Sequence, residues 1–393
     1  MNKRLVWSIL AIVFGRLVIN ISRRFPYPFV SAIGATFSVS VDSIQNVIAL
    51  TNGAGLLSPI LGTIFAHFGR KAVMVGVLLM MAGMSLLSAL FSNYGLFVVV
   101  MFALGVGKII YAPTIQAYFG DTIHFTRRAR VMGFAELSWA LSLLIAAPVA
   151  GFLLDANSLQ AVFLFLAIML GLGALAVWLL VESDRQPDQR IRVINPLVAM
   201  RAVSAHRPAV AALLYSLCLT LSHEIFFINY GLWMEDAFGL LLTALGVITI
   251  VIAVAEVIGE FIVITIADRA GTKQTSMVGM LVAALCFFII PHLSFSLPLA
   301  MFGIFVMFIC IEAAIVSALP LFTEIMPKSR AVMMSANMGA HSLGRVSGAA
   351  FGGLIYKLSE GNFLVIGLIA GSLGLVAFAI MYRLVPSGGQ SAS

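Results

Sequence analysis

Apolar runs long enough to cross a membrane follow one another along almost the whole of this 393-residue chain. About 20 consecutive apolar residues cross the hydrocarbon core as one α-helix. Such spans fall near 6–35, 42–66, 71–92, 95–119, 131–153, 159–181, 208–233, 241–266, 275–292, 297–320, 331–356 and 362–383. In lipid every backbone polar group needs a partner inside the protein, so a spanning segment is a helix or part of a closed barrel. Barrel strands alternate apolar and polar residues over short stretches. The runs here are continuous, which argues for helices. Only 10% of the residues are charged, against about 25% in a soluble domain. The expected fold is an all-α membrane protein with 12 transmembrane helices, embedded in the lipid bilayer.

A net charge of +7 raises nucleic acid as a partner, but the placement of the charges argues against it. With the amino terminus inside, seventeen Lys and Arg residues fall on the cytoplasmic side, and the external loops hold only Lys357. Cytoplasmic loops carry the excess of Lys and Arg in membrane proteins. Both termini are therefore expected in the cytoplasm. The first span is too long for a cleavable signal peptide and reads as the first helix. Cys218, Cys286 and Cys310 lie inside apolar spans. They read as buried thiols, with no disulfide framework and no metal-ligand spacing.

One loop is long and polar: 182–207, with Glu182, Asp184, Asp188 and five arginines. It divides the chain into a six-helix bundle over 1–181 and a second over 208–383, with a cytoplasmic tail over 384–393. The halves repeat at an offset of 202 residues. Gly69 and Lys71 map to Gly271 and Lys273, Arg128 to Arg330, and Gly151 to Gly353. Two parallel six-helix halves with a site near the midplane is a plan used by secondary transporters.

At these residues the chain resembles the major facilitator superfamily, over essentially its whole length. The family's signature between helices 2 and 3 runs Gly-x-Leu-Ala-Asp-Arg-x-Gly-Arg-Lys. Here it stands as Gly62-Thr-Ile-Phe-Ala66-His67-Phe-Gly69-Arg70-Lys71, with Ala66 at the acidic position. The second copy keeps the acid, as Asp268-Arg269-Ala-Gly271-Thr-Lys273. The resemblance implies that Arg70, Lys71, Asp268, Arg269, Arg128 and Arg330 serve as cytoplasmic gate residues. Ala147-Pro148-Val149-Ala150-Gly151 is similar to the antiporter signature of the proton-coupled exporters; ordinary small-residue packing explains it equally well. Those exporters carry an arginine twelve residues before the helix 4 proline. Counting back from Pro113, this chain has Met101.

Charges inside the spans carry the functional reading. A bare charge in hydrocarbon costs several kcal/mol or more, so it faces a partner or a water-filled cavity. Arg16, Asn20, Arg23, Tyr27 and Ser31 share one face of the first span, because residues three and four apart lie together on a helix. Arg24 lies beside them. Arg23 and Arg24 can grip a carboxylate or phosphate, or pair with glutamates elsewhere in the bundle. Asn20, Tyr27, Lys108, Tyr111, Asn337 and His341 complete the expected substrate cavity.

Glu224, Glu256, Glu312 and His223 are the proton-coupling candidates, because burial favours the protonated form of a carboxylate. Glu260 is a gating candidate near the cytoplasmic end. Glu312 with Arg345, and Lys108 with Glu136, are the expected ion pairs; neighbours in sequence are often neighbours in space.

No Gly-x4-Gly-Lys-Ser/Thr loop is present, so ATP is not the expected energy source. No hydrolase elbow or zinc motif is present, and neither cofactor nor enzyme activity is expected. The leading expectation is a monomeric secondary transporter of the cell membrane that works by alternating access. It would export a drug-like or amphiphilic compound in exchange for protons. The alternatives are an uptake or exchange carrier for an anionic or zwitterionic metabolite, and a non-transporting receptor of the same fold.

Overall fold

The computed structural model describes residues 3–57, 69–123, 131–156 apart from Gly133, 158–182, 201–263 apart from Ala202, 265, 270–326 and 330–386. Among these residues the regular structure is helical, with no strand. The helices are α1 (Lys3–Arg24), α2 (Val30–Phe37), α3 (Val41–Gly53), α4 (Arg70–Leu90), α5 (Tyr94–Thr122), α6 (Ser138–Ala156) and α7 (Leu159–Leu180). There follow α8 (Arg207–Phe227), α9 (Tyr230–Phe238), α10 (Leu242–Ile248), α11 (Ile250–Ile262), α12 (Thr272–Ile289), α13 (Leu297–Ile325), α14 (Arg330–Leu358) and α15 (Phe363–Leu384).

Among the described residues, ten helical segments are long and apolar enough to cross a membrane. The count is eleven if α2 and Val41–Leu57, bent by 111°, form one span.

The turns carry recognisable stops and starts. Asn93, Ser158 and Asn362 cap α5, α7 and α15, accepting hydrogen bonds from backbone N–H groups of the first turn. Such caps satisfy donors that have no partner within the helix. Ser38 and Gly239, both with left-handed backbone, end α2 and α9.

Three spans expected as single helices are each two. The first breaks between α1 and α2, where Pro26 and Pro28 remove backbone donors. The seventh breaks at Ile228–Asn229 without a proline. There the Asn229 side chain donates to the carbonyls of Ile225 and Gly352. Tyr27 and Asn229, one in each break, are again 202 residues apart. The eighth span divides at Thr249, between α10 and α11.

The chain forms two compact units, Met1–Val193 with Leu241–Ile250, and Ile194–Leu240 with Val251–Ser393. In the first unit α1 packs on α6 and α7, and α4 packs on α5 and α7. In the second α8 packs on α14 and α15, and α12 on α13 and α15. The two packing schemes are the same. An aromatic joint repeats with them: Phe25 meets Phe163 edge to face at 5.7 Å, and Phe226 meets Phe363 at 5.1 Å. Large apolar side chains such as Leu90, Phe152, Trp178, Phe302 and Leu368 stand exposed on the helices. A soluble protein seldom shows so much apolar surface, whereas lipid covers it without cost.

Lipid tails are as apolar as leucine, so helices in a membrane associate through close packing and hydrogen bonds. Two seams show this. In the second unit Gly344, Gly348 and Gly352 line the face of α14 that meets α8. A β-carbon would lie 2.8 Å from Thr220 Cβ at Gly344 and 2.8 Å from Ile228 Cγ2 at Gly352, and at Gly348 it would overlap the Glu224 side chain. In the first unit α10 lies on α6. A β-carbon at Gly246 would strike the Ala147 carbonyl, and one at Gly151 would lie 2.6 Å from the Leu242 carbonyl. The small residues of the Ala147–Gly151 motif are thus in use for helix packing.

Asp155 of α6 completes that contact. Its carboxylate accepts from the Thr243 backbone N–H at 2.8 Å and from the Thr243 hydroxyl. A side chain of one helix therefore caps the start of another. Removing such a cap costs about 1 kcal/mol. Asp155→Ala is expected to speed hydrogen exchange across α10 about fivefold, the factor that such an energy represents. An unchanged exchange rate there would show that the cap contributes nothing.

Candidate functional site

The polar groups on the first unit's helices gather around α1, the start of α6, and the middle of α5. Arg16 forms an ion pair with Glu136. Glu136 thus takes Arg16 where Lys108 was expected, and the Lys108 ammonium lies 4.3 Å from the Trp139 ring centre. The Arg24 guanidinium lies 4.4 Å from the same centre and donates to the Trp139 carbonyl at 2.9 Å. Both distances suit a cation over an aromatic ring. One turn down α1, Asn20 donates to Ser138 at 3.3 Å, while its Oδ1 is buried without a hydrogen-bond donor.

Arg23 turns the other way. It donates to the Asn52 side-chain oxygen at 2.6 Å, and the Asn52 amide donates to the Tyr27 hydroxyl at 3.0 Å. Tyr111, expected in the substrate cavity, is buried and donates to the Ile12 carbonyl at 3.1 Å. It packs against Gly15 and ties α5 to α1.

In the second unit α8 and α14 run parallel and meet in a ladder. Ser216 donates to Asn337 Oδ1 at 2.6 Å, which leaves the Asn337 amide nitrogen buried without an acceptor. One turn on, Thr220 and His341 Nδ1 lie 2.8 Å apart. The single Thr220 hydroxyl proton goes to the Ser216 carbonyl at 2.5 Å. The bond to His341 therefore runs from the imidazole N–H to the hydroxyl oxygen. Protonation at Nδ1 leaves Nε2 as an acceptor in the neutral ring. Both rungs join residues 121 apart in sequence. The next pair at that separation is Glu224 with Arg345. Glu224 is only 2% exposed, with its stem against Gly348.

The remaining candidates scatter. His223 stacks on Phe227 at 5.4 Å and meets Phe308 edge-on at 5.3 Å, in an aromatic setting. Glu256 is buried on α11. Glu260 and Glu312 are half-buried, and Glu312 has its β-carbon beside Gly259 of α11. Arg70 and Lys71 open α4. Lys273 donates to the Tyr382 and Val385 carbonyls at the end of α15, at 3.2 and 2.6 Å. Carbonyls at a helix end favour such a cation. Arg128, Asp268 and Arg269 lie outside the described residues, as do the Arg330 side chain and most of the 182–207 linker. The three cysteines are free thiols, each partly rather than fully buried.

Sequence reading missed Trp139, Ser138, Asn52, Ser216 and Thr220 as partners. Trp139 had one usable signal, its place three residues after an intramembrane Glu136. Which cation it would meet depends on α1 and α5 folding beside α6.

Comparison with known proteins agrees with this architecture. The sequence model of the Major Facilitator Superfamily matches residues 12–310 and 212–393. An uncharacterized MFS-type transporter, YceJ of Bacillus subtilis (strain 168), is 24% identical over 93% of this chain and 92% of its own length. The class C tetracycline resistance protein of Escherichia coli is 27% identical over 58% of this chain and 59% of its own. Among solved structures, a bacterial homolog of the human lysosomal transporter Spinster, inward-facing and unoccupied, superposes with a TM-score of 0.79. It is 15% identical and covers 100% of both chains. With repeated packing schemes, membrane-length helices and a family match over nearly its full length, the chain belongs to the major facilitator superfamily of transporters.

Proposed function

We propose that this transporter exports a small organic molecule across the cell membrane in exchange for protons, by alternating access. The observation that carries the reading is Glu224. It is a carboxylate, 2% exposed, seated in the last turn of α8, near the middle of the broken span Arg207–Phe238, on a glycine seam. An ionisable group held at membrane depth marks an ion or proton path by default. Its surroundings are polar along one line: Ser216, Thr220, Asn337 and His341 precede it on the same two helices. The tetracycline resistance protein among the relatives supports export. The cationic groups of α1 and α5 favour a second reading, uptake or exchange of an anionic metabolite.

Purified protein in vesicles with an acidic interior separates the two directions. Antiport predicts that protons leaving drive hydroxynaphthoate inward against its gradient, and that a protonophore abolishes this. Passive entry of a weak acid runs the other way, toward an alkaline interior. Accumulation only in alkaline-interior vesicles, by protein that still catalyses counterflow of the acid at equal pH, would rule out the exchange.

A further inference from the structure

We propose that Asn20, Arg24, Lys108 and Trp139 form the subsite that holds an acidic group of the transported molecule, making this a carrier of organic anions. The inference deepens the transport reading and rests on it. Two cations lie over one indole, at 4.4 and 4.3 Å from its centre. Those distances keep the two charges within about 9 Å of each other, a span over which like charges repel inside a protein. A carboxylate or ionised phenol set beside both gains attraction from each. Arg24 is fixed in place by its bond to the Trp139 carbonyl. It is 2% exposed, so its charge acts in a medium that screens it weakly.

The same geometry disfavours a cationic ligand. An aromatic cage for a lipophilic cation needs a ring face that no cation has taken. Here the protein's own Arg24 and Lys108 attend the Trp139 ring.

Asn20 adds a second element. Its side chain is 1% exposed and tied to Ser138, the residue before Trp139, yet its Oδ1 receives no hydrogen bond. A buried acceptor left alone costs free energy that a ligand donor recovers. The subsite therefore asks for an acidic oxygen with a hydroxyl or N–H nearby. Hydroxy-substituted aromatic acids meet both demands.

The test is equilibrium dialysis of the full chain in detergent with radiolabelled salicylate and radiolabelled hydroxynaphthoate. Salicylamide and tetraphenylphosphonium serve as competitors. Saturable binding is expected, displaced by the unlabelled acids far better than by the amide or the cation. Lys108→Gln is expected to weaken it about tenfold, the loss of one charged contact, and Lys108→Arg to retain it. A melting temperature equal to wild type shows that the variant is folded. If Lys108→Gln fails to fold, Asn20→Leu takes its place, with loss expected for the hydroxy acids and little change for benzoate. The proposal is overturned by absent binding, by equal displacement with salicylamide, by preference for the cation, or by unchanged affinity in the folded variants. Dialysis needs no pH gradient, so it stands or falls separately from proton-driven export.

Discussion

Glu224→Gln is expected to abolish accumulation driven by a pH gradient while leaving substrate exchange at equal pH. Glutamine keeps the size and hydrogen-bonding capacity of the side chain and cannot carry a proton. With one proton exchanged per substrate, and the membrane potential held at zero by potassium and valinomycin, a gradient of one pH unit supports about tenfold accumulation, because each unit represents about 1.4 kcal/mol. The variant should level off at equal concentrations on both sides. Counterflow at symmetrical pH should continue, since it needs only the substrate site and the conformational change. Loss of both activities would assign Glu224 to substrate binding or folding instead. Retained accumulation would move the proton to Glu256, which is also buried.

Gly348→Leu is expected to be the most damaging single packing change in the second unit. A β-carbon at Gly348 already overlaps the Glu224 side chain, before three more carbons are added. Overpacking a close contact costs about 1–3 kcal/mol or more. In a membrane the loss is felt directly, because helix association depends on that contact. The flanking rungs, Thr220 with His341 and Asn229 with the Gly352 carbonyl, would part as α14 moved away. The expected result is a melting temperature in detergent several degrees lower, with transport lost. Gly348→Ala should fall between the two. Gly339, which meets nothing within 4 Å, is the control: Gly339→Ala should leave the protein as stable as wild type. Equal melting temperatures for the Gly348 variants and wild type would mean that α8 and α14 are not held by this seam.

How much was legible beforehand follows from which forces act locally. The spans were, since length and hydropathy are properties of one segment. Their positions match the helices found at α4, α5 and α7 and at α12 through α15 to within about five residues, whereas α6 begins at Ser138, later than the expected 131. The breaks in the first, seventh and eighth spans were not. Pro26 and Pro28 mark the first, but the second depends on Asn229 reaching the Gly352 carbonyl of another helix. Ion pairs were the weakest inference. Glu136 was assigned to Lys108 by adjacency in sequence, yet α1 packs on α6 and brings Arg16 to it.

The ladder was half legible. The spacing of Asn337, His341 and Arg345 placed them on one face, but nothing in one helix names Ser216 and Thr220 as partners. The glycine seam was visible as Gly344, Gly348 and Gly352, four apart. Glycines are common throughout the spans, so the sequence alone does not single this seam out.

Proton movement evoked by substrate tests the central claim most directly. Vesicles holding the wild-type protein and a trapped pH indicator start with no pH gradient, and hydroxynaphthoate is added outside. Exchange predicts that substrate entry drives protons out, so the interior turns alkaline, and that Glu224→Gln removes this response while substrate still enters. Vesicles without protein report passive entry of the acid, which acidifies the interior. Substrate uptake by the wild-type protein with no alkaline shift beyond that baseline would contradict proton exchange.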